Sequence, residues 1–254
     1  MRFIRPVKLV TFDITGTLLK TDVGKHYAQV ALEHGITNVD TVKLSKSFKL
    51  NFKKFSIKHP IFGKHTGLGS ENWWRALVYA TFKDQHSSNI SEETLSKIAT
   101  SLIERYRTRV CWEIVPGTIE LLEFLKKHDI LLGVISNFDD GLNSILDSLN
   151  IKQYFPFILC SYKFGIEKPN PLIFNEALKN FKELRKTSIF PEEALHIGNS
   201  IEEDYKGAKN ANWNAVLMIE NDESVNPLIK RDEIFSSLEE LGRCIIENIQ
   251  YTIK

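Results

Sequence analysis

The chain has 254 residues, 43% apolar and 26% charged, with 33 Lys plus Arg against 32 Asp plus Glu and a net charge of +1. At about 100–200 residues per domain this is one large domain, or a core with a smaller partner, long enough to bury a substantial interior. A near-neutral chain has no global field to hold nucleic acid or an anionic membrane, and 13 Gly with 8 Pro are too few for a fibrous or disordered chain.

The first apolar run, residues 7–14, is nearly continuous and rich in β-branched residues. Runs of the same kind recur at 130–137, 155–161, 194–198 and 214–219. Strands buried on both faces read this way, and they belong to parallel sheets covered by helices. Between the first run and the second the pattern changes to helices. A helix over 23–34 stops at Gly35. Leu44, Phe48, Phe52 and Phe55 form a helical stripe, and residues 72–82 carry Trp73, Trp74 and Leu77. Ser91 caps a long helix whose face is Leu95, Ile98, Leu102 and Tyr106. Further helices are expected over 118–127, over 171–181 with Pro171 in the first turn, and over 238–249, where Ser237 and Glu240 match a capping box. The expected organisation is a doubly wound α/β core of residues 1–19 and 111–254, with a helical module of residues 20–110 inserted after the first strand.

Ligands of open α/β sheets bind at the carboxyl ends of the strands. The first strand ends in Asp13-Ile14-Thr15-Gly16-Thr17, where a carboxylate can act as nucleophile, ligate a metal or cap the next turn. The second ends in Ser136-Asn137, which suits a phosphoryl oxygen or an ordinary helix cap. Lys168, in Glu167-Lys168-Pro169-Asn170-Pro171, supplies a compact cation. The fourth ends in Gly198-Asn199-Ser200-Ile201-Glu202-Glu203-Asp204, acids that could complement a helix dipole or surround a hard cation. Asp, Ser, Lys and an acidic loop thus gather at one sheet edge.

This set, in this order, resembles the haloacid dehalogenase (HAD) superfamily, whose pattern is DxDGT, then Ser or Thr, then Lys, then GDxxxxD. The insert looks like that family's first type of helical cap, and the expected fold is a Rossmann-like parallel sheet flanked by helices. Asn72-Trp73-Trp74, Ile135-Ser136-Asn137-Phe138-Asp139 and residues 168–174 resemble its animal branch of haloacid dehalogenase-like hydrolase domain-containing protein 3 and its insect counterpart. The resemblance implies a hydrolase of small phosphorylated molecules, with the cap closing over the strand ends. Asp13 becomes the nucleophile forming an aspartyl-phosphate, with Thr15 and Lys168 beside it in the catalytic set. Thr17, Ser136, Asn137 and Lys168 hold the phosphate. Mg2+ is held by Asp13, the Thr15 carbonyl, Asn199 and Asp204.

Two positions depart from the phosphatase pattern. Thr15 stands where phosphatases carry the Asp that protonates the leaving group, a loss of about 10²–10⁴ in rate. Asn199 stands where the family has a metal-binding Asp, so weaker Mg2+ affinity is expected. The contrasting expectations are a catalytically silent binding protein and a metal-independent dehalogenase. The chain lacks both GxGxxG and GxxxxGK[ST], against dinucleotide or P-loop chemistry. Seven lysines and no acid between 41 and 70 suit a solvated helix face or a surface for polyanions. Trp73 and Trp74 either line a substrate pocket or pack between helices. Three cysteines without a CxxC pair and an amino-terminal stretch with no long apolar run point to a cytoplasmic or nuclear protein with reduced thiols, without membrane or nucleic-acid partners.

Overall fold

Six parallel strands form the sheet of the computed structural model, which describes residues 6–85, 90–219 and 229–252. The strands are β1 (Leu9–Phe12), β4 (Leu131–Ser136), β5 (Phe157–Cys160), β6 (Ala194–Gly198), β7 (Asn214–Met218) and β8 (Ile234–Phe235), in the order β5-β4-β1-β6-β7-β8. Two short strands, β2 (Leu19–Lys20) and β3 (Glu113–Ile114), mark where the chain leaves and re-enters this part of the fold. β1 is central and every residue in it is buried, which explains its unbroken apolar character. Its register pairs Thr11 with Gly133 of β4 and with His196 of β6. Helices α5 (Thr118–Lys127), α8 (Pro171–Arg185) and α10 (Leu238–Thr252) follow the predicted periodicity. Ile173, Phe174, Ala177 and Phe181 of α8 enter a core with Leu9, Ile135, Trp213 and Leu217.

The chain divides into two compact units. One comprises Met1–Lys20, Ile114–Asn137 and Ile151–Lys254; the other comprises Thr21–Glu113 and Phe138–Asn150. The second unit is helical, with α1 (Val23–Glu33), α2 (Thr41–Lys58), α3 (Ser70–Lys83), α4 (Glu92–Tyr106) and α6 (Leu142–Ser148). Its core gathers Tyr27, Val30, Leu44, Val78, Phe82, Leu95, Ile98 and Leu102. Asp22, Asp40 and Ser91 cap α1, α2 and α4 through their side chains.

The sequence-based boundary kept residues 138–150 in the α/β core, whereas in the structure they group with the helices. The physical reason is polar. Asp139 accepts from the Trp74 indole, and Asp140 accepts from Ser70 at 2.5 Å and pairs with Arg107 at 3.7 Å. Trp73 is fully buried against Phe52, Phe55 and Phe62. The seven lysines of residues 41–70 are exposed, whereas α2 buries Leu44, Ser47 and Asn51. Before α10, the Glu240 carboxylate accepts from the Ser236 amide at 2.9 Å, where a capping box would have used Ser237. The other bond of the box forms as expected, with the Glu240 amide donating to Ser237 Oγ at 3.2 Å. Among the described residues, Cys111, Cys160 and Cys244 form no disulfide. Among the described residues no helix is long and apolar enough to cross a membrane.

Candidate active site

Alternate residues of a strand share a face, so Thr11 and Asp13 project to the same side of the sheet, next to His196. Asp13 directly follows β1 and its amide donates to Ile197 O at 2.9 Å, which extends the pairing by one residue. The chain then turns sharply: Gly16 has φ +82°, and its amide reaches Leu19 O at 2.7 Å. A side chain at Gly16 would be strained in this left-handed conformation and would collide with the Asn199 amide. Asn199 therefore packs directly on the loop that carries Thr15.

Lys168 is the centre of the arrangement. Its ammonium donates to Asp13 Oδ1 at 2.9 Å, to Asp204 Oδ1 at 2.5 Å and to Ile135 O at 2.7 Å, which uses all three of its protons. Ser136 Oγ donates to the same Asp13 oxygen at 3.0 Å. Asp204 is braced further by His196 Nε2 at 3.0 Å on Oδ1 and by the Ser200 amide at 2.8 Å on Oδ2. The acids around Lys168 decide its protonation. Burial works against its charge, yet Asp13 and Asp204 outweigh burial and raise its pKa. Burial also works to raise Asp204, but the Lys168 ammonium and His196 hold its carboxyl well below the ordinary range. Asp13 is pushed up, chiefly by burial, because it shares one ammonium with a second carboxylate. Burial lowers His196.

Asp13, Ser136, Lys168 and Asp204 therefore meet as the sequence places them. The Asn137 side chain turns to the loop that carries Lys168. Its Oδ1 accepts from the Lys168 amide at 2.8 Å and its Nδ2 donates to Lys168 O at 3.0 Å, so it fixes the lysine backbone. Thr17 is buried, and its hydroxyl has no partner among the described residues. Such a desolvated hydroxyl costs roughly 1–3 kcal/mol until a bound group or water satisfies it. Thr15 is exposed on the turn.

The residues fit a divalent cation only weakly. Asp204 Oδ1 is taken by Lys168 and His196 and Oδ2 accepts from the Ser200 amide, so this expected ligand has only part of one oxygen left for a cation. Glu202 pairs with Lys206 at 2.5 Å. Of the expected ligands this leaves the Asp13 carboxylate, the Thr15 carbonyl and the Asn199 side-chain oxygen; the Glu203 carboxyl is a further neighbour, pushed up by burial and within electrostatic reach of Lys168, Asp204 and Asp13. Among the described residues no group of three or more His, Cys, Asp or Glu is arranged to hold a metal. Mg2+ bound through one carboxylate needs water and substrate phosphate for the rest of its shell.

Sequence reasoning missed Thr11 and His196. Both stand two residues before a recognised position, Asp13 and Gly198, and counting by twos along the strand places them on the same face. Gly198 is itself required, because a Cβ there would overlap the Asp204 carboxyl. Gly198→Ala is expected to displace Asp204 from Lys168 and to reduce any turnover at least about tenfold, measured beside the melting temperature to separate site damage from unfolding.

Comparison with known proteins gives the family and the fold. The sequence model of a haloacid dehalogenase-like hydrolase family matches residues 7–212. The rhythmically expressed gene 2 protein of Drosophila melanogaster is 36% identical over 255 residues, 94% of this chain and 95% of the relative. The haloacid dehalogenase-like hydrolase domain-containing protein 3 of Bos taurus is 33% identical over 227 residues, 88% of this chain and 86% of the relative. Among solved structures, a 2-haloacid dehalogenase from Pseudomonas syringae pv. Tomato DC3000 superposes with a TM-score of 0.62 at 24% identity, covering 95% of this chain and 99% of that one. A HAD phosphatase from Thermococcus onnurineus superposes with a TM-score of 0.57 at 21% identity, covering 94% and 98%. Dehalogenase and phosphatase share the fold, so the fold does not choose between them. With Asp13, Ser136, Lys168 and Asp204 at one edge of a parallel sheet, and with a match across most of its length, the chain belongs to the haloacid dehalogenase-like hydrolase family.

Proposed function

We propose that this protein is a slow phosphatase of small phosphorylated molecules that works through an aspartyl-phosphate on Asp13. The observation that carries the reading is the division of labour on the Asp13 carboxylate. Ser136 and Lys168 both hold Oδ1, and Oδ2 is left for attack. In the first step Oδ2 bonds to phosphorus as the P–O ester bond breaks, and the leaving oxygen departs with the electron pair. In the second, water attacks the phosphorus, the Asp13–phosphate bond breaks, and inorganic phosphate leaves. Lys168 balances the charge of nucleophile and phosphoryl group, and the buried, unpartnered Thr17 hydroxyl is a donor for a bound group. Mg2+, where bound beside Asp13 by the Thr15 carbonyl and Asn199, would supply further charge neutralisation.

Thr15 cannot protonate a leaving alkoxide, so substrates with good leaving groups are favoured, among them acyl phosphates and aryl phosphates. Restoring both family residues tests this directly. Thr15→Asp with Asn199→Asp is expected to raise Mg2+-dependent phosphate release by about 10²–10⁴ on an alkyl phosphate and by much less on an activated aryl phosphate. Equal gains on both substrates would contradict the role given to position 15. A native chain with no release at all, beside an active double variant, would favour a silent binding protein.

A further inference from the structure

We propose that His196 is a positioning residue that seats Lys168 through Asp204, with Thr11 orienting its ring. The kinetic consequence rests on the aspartyl-phosphate reading; the arrangement itself rests on geometry alone. Thr11 and His196 are register partners on adjacent parallel strands, so their side chains leave the sheet side by side. Thr11 Oγ1 lies 2.8 Å from His196 Nδ1, and His196 Nε2 lies 3.0 Å from Asp204 Oδ1. All three residues are almost wholly buried.

Proton counting fixes the roles. An ionised Asp204 can only accept, so Nε2 must carry a proton. The ring is buried near the Lys168 ammonium, which disfavours a second positive charge. Nδ1 is then bare and accepts from the Thr11 hydroxyl. The Phe174 ring stands edge-on to the imidazole, with centroids 5.3 Å apart and an interplanar angle of 86°, and holds the ring in that plane. Asp204 Oδ1 thus takes two donors, Nε2 and the Lys168 ammonium, while Oδ2 is tied to the Ser200 amide. Without the imidazole, Asp204 Oδ1 keeps only the Lys168 ammonium, so the carboxylate can turn about its Ser200 anchor and the ammonium is drawn toward Asp13. A fixed partner behind a reacting group commonly accounts for about 10–100-fold in activity.

Two measurements decide the matter. In the intact chain labelled with 15N-histidine, the ring signals lost in His196→Gln identify residue 196. They are expected to show a neutral ring protonated on Nε2. A proton on Nδ1, or on both nitrogens, would overturn the arrangement. The second measurement compares His196→Leu with His196→Gln, whose amide keeps an N–H donor, on an activated aryl phosphate. The Leu variant is expected to lose about 10–100-fold in kcat and the Gln variant to recover most of it. Equal kcat in the two variants, at matched melting temperatures, would reduce His196 to packing and overturn the proposal. If the native chain shows no turnover, the phosphatase reading fails and the ring assignment alone decides the inference. The ring assignment also decides it if the Leu variant does not fold.

Discussion

Lys168→Met is expected to cost about 3–5 kcal/mol of stability and to abolish turnover. The methionine stem fills nearly the same volume, so the loss is electrostatic rather than a cavity. Lys168 is only 2% exposed, and its ammonium is the shared partner of two buried carboxylates. Removing it leaves Asp13 and Asp204 buried without their shared cation, with the His196 imidazole on Asp204 alone. The pH dependence should reverse sign. In the native chain the Asp204 pKa is lowered, so its contribution is complete above the ordinary carboxylate pKa of 3.8 and is lost as the pH falls below it. In the variant one of the two acids must take up a proton, its folded-state pKa rises, and stability should increase as the pH falls from neutral toward about 5. Denaturant midpoints of both proteins across that range check the claim. A variant as stable as the native chain at pH 7 would contradict the shared-ammonium account.

Asp13→Asn should have the opposite profile. Turnover is expected to fall by about 10³ or more, because an amide oxygen does not form the covalent intermediate. Stability is expected to hold or to rise. The Asn oxygen still accepts from Ser136 and Lys168, and the change removes one of two carboxylates that compete for a single ammonium. Burial already raises the Asp13 pKa, so its ionised form is held at a cost in the native fold. Kinetics with an activated aryl phosphate, read beside thermal melting, separate the two effects. A variant that melts several degrees lower would show that Asp13 is a net stabiliser, contrary to this reading.

The contrast between these variants shows how far a sequence alone reaches into such a site. Residues 130–137 and 194–198 declare themselves as buried strands because neither face meets water, and their ends locate Ser136 and Asn199. Lys168 lies in a loop, yet the Pro pair around it marks the start of α8 and brings it to the same edge. Ile234–Phe235 escaped because two apolar residues make no pattern, and it completes the sheet only by pairing beside β7. The acids of residues 202–204 were legible as a group but not as individuals. Ile201–Lys206 winds as a π-type turn, which delivers Asp204 to Lys168 and leaves Glu202 to an ion pair with Lys206. Nothing in the spacing distinguishes a carboxylate that faces a cation from one that faces solvent. Residues 138–150 follow a core strand in sequence, but Asp139 and Asp140 commit them to the helices.

Trapping the covalent intermediate tests the central claim most directly. Without an acid or base at position 15, both the formation and the hydrolysis of an aspartyl-phosphate are slow, so the intermediate should persist long enough to be caught. The native chain is incubated with an activated aryl phosphate and Mg2+, quenched in acid, digested and mapped by mass spectrometry. The account predicts one added phosphoryl group on the peptide that contains Asp13, absent when Asp13→Asn is treated in the same way. A native protein that releases phosphate with no label on that peptide, or with the label on another residue, would contradict it.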